Sequence, residues 1–397
     1  MNPTVMAADL APAETHDAPK KITVLHLIHS VCHGGIESVL INWVRFLPRD
    51  RVNVLVACFA GDRNREQAFL ASAERAGIQV LFVPWTKYKP FVRASRAVAE
   101  IVREHGVDVI HTHAYYADVA GAMTKMFVKV KTVATVYVWG KYEVHRQIMQ
   151  ALDWTALHFV DKVTAHCEDT FEKTVRLGFS RERVNKLIAG FPAHEVQRYT
   201  SAERLAARRA LGVRDDEVLM LNVARIHPEK AHDQLLKSFA VVHREHPKTK
   251  LWICGVGFPS LEADLRQLRT DLRLDDSVEF IGFHGDLTKY LNVADIMVHP
   301  SHVEGVPIAI LLGMSAGLPI VVSDVGGVRE VIKQGKTGYL IPENDVASFA
   351  AQVSHLVADA SAARQLGDGA RRFVSTEYSI QTAVADVVRT YEEVLQA

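Results

Sequence analysis

Short apolar runs alternate with amphipathic stretches of ten or more residues along almost the whole chain, and this rhythm constrains the fold most. Residues 22–29, 52–59, 79–83, 107–111, 131–136 and 162–165 read as strands, with helical patterns over 36–46, 63–76 and 91–105. The rhythm restarts after about residue 200, with strands at 217–223, 250–255, 278–282, 295–299 and 319–323 and helices at 230–246 and 261–272. Strands separated by helices of this length pair in parallel, because the crossover helix carries the chain back to the same end of the sheet. The chain therefore reads as α/β: two Rossmann-like, doubly wound parallel sheets, each a domain, facing a cleft lined by strand carboxyl ends. At 397 residues the chain is too long for one ordinary core. The expected divisions are a tail over 1–20, a first domain over 21–197, a second over 198–378, and an amphipathic helix over 379–397 crossing back to the first.

Composition narrows the class. Lys plus Arg equals Asp plus Glu at 46 each, so no basic footprint speaks for a nucleic-acid partner. Residues 125–186 hold a local excess, eleven Lys and Arg against seven Asp and Glu. Cys32, Cys58, Cys167 and Cys254 form no C-x-x-C pair, which excludes the common zinc spacings and fits a reducing cytoplasm. The first twenty residues lack the basic start and apolar middle of a signal peptide and have the composition of a disordered tail. An uncharged run over 305–323 approaches membrane-spanning length, but Pro307, Pro319 and its glycines make it a helix, turn and strand of a soluble core.

Four features sit at strand ends, where the cleft is expected. Gly34-Gly35 follows the first strand and lets backbone N–H groups approach a phosphate, although any tight strand-to-helix turn uses glycine. It is not G-x-G-x-x-G, which counts against a nicotinamide dehydrogenase. Arg225 and Lys230 share one loop after a buried strand and suit a diphosphate clamp, or else a solvated charged turn. His111 and His113 alternate onto one face of their strand, as packed histidines or near a reacting centre; as metal ligands the pair lacks a third neighbour. Glu304 heads an uncharged helix with Pro307 near its start and Gly317 past its end. There it is either a helix-start acid or a carboxylate that grips polyol hydroxyls. No D-x-D occurs, so nothing suggests a carboxylate-held divalent cation, and no metal or cofactor is expected.

Taken in order, these pieces resemble the family-4 glycosyltransferases, retaining enzymes of the two-domain GT-B fold. The resemblance rests on His33-Gly-Gly-Ile-Glu37, His-Thr-His113, Asn222-Val-Ala-Arg225 with Lys230, and Gly255-Val-Gly257 leading through 278–283. It is clearest from Ala294-Asp-Ile-Met-Val-His-Pro-Ser301 through Glu304-Gly to Gly317-Leu-Pro-Ile-Val-Val-Ser-Asp324. Lys230-Ala-His232 is similar to the capsule and exopolysaccharide branch. The resemblance implies a metal-independent enzyme, hexosyltransferase in type, with an amino-terminal acceptor domain and a carboxyl-terminal nucleotide-sugar donor domain. By its pattern Arg225 and Lys230 bind the donor diphosphate, Glu304 holds the donor sugar, His113 lies near the reacting centre, and Gly34 and Gly35 approach the diphosphate. Gly257, Phe283, Gly305 and Val306 complete the donor site, with base recognition near 280–284. The leaving phosphate helps deprotonate the acceptor, a glycan or polyprenyl-linked glycan, so no enzymic nucleophile is required.

Three departures stand out. Leu312 occupies the place of the second acid of E-x(7)-E, which grips the donor ribose; Tyr137 replaces a frequent histidine; Ala189-Gly190-Phe191 replaces the usual Asn-Gly. Losing a charged acceptor to ribose costs on the order of 1.5–3 kcal/mol, about one to two decades in affinity. A degenerate, non-catalytic family member that binds sugar nucleotide or a partner glycosyltransferase is therefore the alternative. An epimerase would need paired acid and base carboxylates, and a phosphorylase a pyridoxal lysine; neither is evident. Lys125-Met-Phe-Val-Lys-Val-Lys131, with Trp139 and Lys141, interleaves basic and apolar residues, a surface suited to peripheral contact with the inner face of the cell membrane or to an ordinary solvated strand entry.

Overall fold

The structure, a computed structural model, describes residues 21–29, 35–59, 63–86, 88, 90–138 and 144–397. The tail over 1–20, Cys32, His33, Gly34, Trp139 and Lys141 lie outside them. Among the described residues thirteen strands are β1 Ile22–Ile28, β2 Val52–Phe59, β3 Val80–Val83, β4 Val109–His113, β5 Lys131–Val136, β6 Lys162–Ala165, β7 Val184–Lys186, β8 Val218–Val223, β9 Thr249–Cys254, β10 Val278–Gly282, β11 Ile296–His299, β12 Ile320–Ser323 and β13 Tyr339–Ile341. They form two sheets, ordered β3-β2-β1-β4-β5-β6-β7 and β10-β9-β8-β11-β12-β13. Every strand pairing is parallel. Strand order reverses between β1 and β4 and between β8 and β11, the places where such sheets open a crevice at their carboxyl ends. The doubly wound expectation holds.

Two of the boundaries that differ from the sequence reading have clear local reasons. β4 begins at Val109 and ends on His113, two residues later than its apolar pattern suggests. Gly106 ends the helix Phe91–His105 in a left-handed conformation, φ 60°, and the Val107 N–H still bonds back to Val102, so extension waits until the chain reaches β1. Lys230 does not open a long helix. It closes a one-turn 3-10 segment, Pro228–Lys230, and Ala231 at φ 49° re-aims the chain before the helix His232–Glu245. That break turns Lys230 toward the cleft.

The helix Ile380–Gln396 packs on the helix Gly35–Phe46 and on β5. Val387, Val388, Tyr391 and Val394 are at most 2 % exposed, each worth about 1.5–3 kcal/mol of burial. Its charged face is tied down too: Glu393 takes the Asn185 amide at 2.9 Å and Lys162 at 3.4 Å, and Glu392 pairs with Arg51. Gly190, at φ 62°, makes the approach possible, since a Cβ there would stand 2.3 Å from that of Ala383. This is a physical use for the Ala189-Gly190-Phe191 departure.

Candidate active site

Glu304 and Lys230, 74 residues apart, meet at the carboxyl end of the second sheet. Glu304 lies in the loop after β11 and is 7 % exposed. Its Oε1 accepts from Lys230 Nζ at 2.6 Å and from His299 Nε2 at 2.7 Å. Burial by itself would raise the carboxyl, but the Lys230 charge and the His299 hydrogen bond overcome it and hold the group at about 2. Oε2 makes no hydrogen bond among the described residues and is not sealed from solvent, so one carboxylate oxygen is left for a ligand. His232, 2 % exposed, is pushed down to about 4 by burial and by the neighbouring His299 and Lys230, so no competing cation forms beneath the pair.

The turn that carries Glu304 depends on close backbone contacts. Gly326, at φ 50°, lies against the Glu304 carbonyl, where a Cβ would come within 1.9 Å. A Cβ on Gly327 would meet Cys167 and the Gly305 carbonyl at 2.8 Å. Val306 is buried at 6 %, and Pro307 caps the helix Ile308–Ala316 in extended geometry. Leu312 is half-buried on that helix and packs into the apolar core. A side chain there offers hydrocarbon where an acid would offer oxygen.

Arg225 stands exposed on the neighbouring loop after β8 and makes no ion pair or hydrogen bond among the described residues. Gly257 pairs with Ile226 beside it, and a Cβ would lie 1.8 Å from the Ile226 carbonyl. Glycine there lets the loops after β8 and β9 touch. Phe283 is 48 % exposed and Phe258 54 %, with Phe258 resting 5.5 Å from the His227 ring. Exposed aromatic faces beside a free guanidinium suit a flat, anion-bearing ligand.

The first sheet supplies the opposite wall. Gly35 opens the helix Gly35–Phe46, and its Cβ position is clear for 4 Å. Tyr137, just past β5, faces the Glu304 turn: its carbonyl would stand 3.0 Å from a Cβ on Gly305. Behind Tyr137 lies His113, which is fully buried. Its Nδ1 meets the Tyr137 hydroxyl at 2.8 Å and its Nε2 meets His26 Nδ1 at 2.9 Å. His113 is thus enclosed within the first sheet, its ring held between Tyr137 and His26. The expectation that His111 and His113 lack a third neighbour is corrected. Parallel pairing of β1 with β4 sets His26 opposite His111, and one nitrogen of each of the three lies within 4.8 Å of the others. A metal could draw on such a trio, but the contact geometry is that of a hydrogen bond. Ring centres 5.2 Å apart with nitrogens 2.9 Å apart put the His26 and His113 nitrogens close to one line, aimed at each other. Burial pushes His26 down to about 3, and burial plus neighbouring histidines hold His111 and His113 well below their usual range, so the rings are neutral.

The structure thus brings Arg225, Lys230, Gly257, Glu304, Gly305 and Val306 to one strand-end surface, with Gly35, Tyr137 and His113 across from it. His26, His299, Phe258 and the Gly326-Gly327 turn were not read as site residues. His299 ends an apolar strand five residues before Glu304, a usable signal; His26 is placed only by strand order.

Comparison with known proteins agrees with this architecture. Residues 33–186 match the family Glycosyltransferase Family 4, and residues 203–373 match Glycosyl transferases group 1. A D-inositol 3-phosphate glycosyltransferase of Geodermatophilus obscurus is 35 % identical over 218 residues, 52 % of this chain and about half, 48 %, of that protein's length. An uncharacterized glycosyltransferase of Haemophilus influenzae is 23 % identical over 89 % of this chain and 95 % of its own. In fold, the chain resembles Anabaena HepE crystallised with UDP and glucose, with a TM-score of 0.83 at 21 % identity over 94 % of this chain and 100 % of that one. With both halves matched in order and two facing parallel sheets, the chain belongs to the GT-B glycosyltransferases of family 4.

Proposed function

We propose that the protein is a retaining, metal-independent glycosyltransferase that moves a sugar from a nucleotide diphosphate sugar to a glycan or lipid-linked glycan in polysaccharide biosynthesis. The observation that carries the reading is the buried Lys230–Glu304 pair beside the unpaired Arg225. As the glycosidic bond breaks, negative charge grows on the leaving diphosphate. Arg225 offers a planar fork to it, and Lys230, fixed by Glu304, offers a point charge that need not reorganise. Glu304 Oε2 accepts hydroxyls of the sugar, and Phe283 with Phe258 offers faces to the base. The HepE complex with UDP and glucose supports a uridine nucleotide as the first donor to try.

The test is turnover with a nucleotide sugar, chosen by a thermal-shift screen of UDP, GDP, ADP and their sugars. Glu304→Ala and Lys230→Ala each lower turnover by orders of magnitude with the fold intact; wild-type rates in both sink the reading. Anomeric configuration of the product, read by NMR, tests retention. Leu312 favours a second reading, binding without catalysis, and nucleotide-sugar hydrolysis above the Glu304→Ala level excludes it. Peripheral membrane contact is proposed through Met126 and Phe159, 74 % and 65 % exposed, with Lys129 three residues beyond Met126; Lys125 is already neutralised by Asp161 at 3.0 Å. Absence of sedimentation with anionic vesicles at low salt removes it. Among the described residues no helix is long and apolar enough to cross a membrane.

A further inference from the structure

The turn that carries Glu304 is supported by a stretch of backbone that the first domain grips through one carboxylate. Glu330 lies on the one-turn helix Val328–Val331 of the second domain, 15 % exposed in its side chain. Its Oε1 accepts the backbone N–H of Glu168, which opens the helix Glu168–Arg176 of the first domain. Its Oε2 accepts the Tyr378 hydroxyl at 2.8 Å. Lys186, at the end of β7, stands 3.8 Å from Glu330 and 3.0 Å from Glu168. An anion at the amino-terminal end of a helix is held by the unpaired N–H groups there and by the helix dipole.

Tyr378 marks the place where the chain crosses back. Its carbonyl accepts the Phe191 N–H at 2.8 Å, and Phe191 forms a bridge with Ser379. One oxygen of Glu330 thus binds the first domain, and the other binds the crossing.

The residues just before Glu330 hold the Glu304 turn. The Gly327 N–H donates to the Glu304 carbonyl at 3.3 Å, and the Glu330 N–H donates to the Gly327 carbonyl at 3.1 Å. The first domain meets these same turns at the start of the helix Glu168–Arg176. Cys167, directly before that helix, is what a Cβ on Gly327 would strike. Thr170, in its first turn, donates from Oγ1 to the Tyr137 carbonyl at 3.2 Å, and that carbonyl faces Gly305. Glu330, Cys167 and Thr170 therefore gather the Gly326-Gly327 turn and the Glu304-Gly305 turn around a single helix start.

We propose that Glu330 is a positioning residue for the donor sugar: clasping the first domain and the crossing segment, it fixes the Gly326-Gly327 turn and thereby the place of Glu304. The inference rests on Glu304 holding the sugar, as proposed above. It makes the sugar end of the donor site, built from second-domain residues, dependent on the docking of the first domain. The loops after β8 and β9, which carry Arg225 and Gly257, lie outside the clasp.

Hydrogen exchange read by mass spectrometry tests the coupling without any ligand. Glu330→Ala is expected to speed exchange over 167–170 and, through the two turns, over 303–307; unchanged exchange over 303–307 overturns the coupling. Titration calorimetry with UDP-glucose and UDP reads the consequence. Glu330→Ala is expected to weaken UDP-glucose about tenfold while UDP changes by less than about twofold. Glu330→Gln, which keeps an acceptor for Glu168 and a polar partner for Tyr378, should restore most of that affinity. Tyr378→Phe, which leaves the carboxylate in place, should weaken UDP-glucose about threefold and spare UDP. Equal losses for both ligands, no loss for either, or a glutamine variant as weak as the alanine one overturns the assignment. If wild-type protein binds neither ligand, the donor reading falls and the sugar role of Glu330 with it, and the exchange pattern alone decides the clasp.

Discussion

Replacing Lys230 by methionine keeps the length of the side chain and removes its charge, and the consequence follows from the burial of its partner. Glu304 is 6 % exposed in its side chain and sits at about 2 against an ordinary 4.5, a difference worth roughly 3 kcal/mol at neutral pH. A carboxyl lowered on folding adds stability above its unfolded value, and that stability is lost as pH falls from about 4.5 through about 2. Burial, the largest influence on Glu304, acts the other way, so without Lys230 the carboxylate becomes a liability at neutral pH that protonation relieves. Breaking a buried pair from one side costs about 3–5 kcal/mol; the His299 hydrogen bond survives, which argues for the lower end. The expected result in urea denaturation is a deficit of about 3 kcal/mol for Lys230→Met at pH 7 that shrinks toward pH 3. Glu304→Gln added to Lys230→Met should recover much of it, because the orphaned charge is gone. A deficit that stays constant from pH 7 to pH 3, or a strictly additive double variant, refutes the electrostatic account.

Three further outcomes are expected. Asp118 and Asp153 form a buried pair held above the usual carboxylate range by burial, Asp118 at about 6; stability is fully present below about 3.8 and declines as pH rises through 6, and Asp153→Asn should flatten that decline in thermal melts from pH 4 to 7. Gly257→Ala places a methyl 1.8 Å from the Ile226 carbonyl, so a melting-point loss matching about 1–3 kcal/mol should accompany weaker diphosphate binding measured by calorimetry. Leu312→Glu sits on a half-buried helix position and should tighten nucleotide binding by about one to two decades if the missing acid is what limits affinity; unchanged affinity would show that other contacts hold the ribose.

The alternation of strand and helix was legible because the central strands, such as β4, β11 and β12, are apolar runs buried on both faces, as parallel sheets require. The β4 start was misplaced because Val107 is apolar for packing above a helix cap, and periodicity does not distinguish that from strand. Glu304 and Lys230 were visible through their spacing from the strands, yet their direct pairing was not, since it depends on Ala231 turning the chain in a left-handed conformation unusual for alanine. The histidine trio was two-thirds legible. His111 and His113 announce each other by alternation, whereas His26 joins them only because β1 lies next to β4 in the sheet. Tyr391, whose hydroxyl meets His26 at 3.3 Å and His111 at 2.7 Å, left no local signal of those contacts, being one apolar-face residue of an amphipathic helix.

That last residue sets a timetable for synthesis. His26 and Tyr391 touch across 365 residues, so at about 5–20 residues per second the ribosome delivers the second partner roughly twenty to seventy seconds after the first. Until then the amino-terminal sheet lacks the hydroxyl between its histidines, and the groove on β5 and the helix Gly35–Phe46 lacks its covering helix. The amino-terminal half therefore emerges as an open shell, finished by the helix Ile380–Gln396.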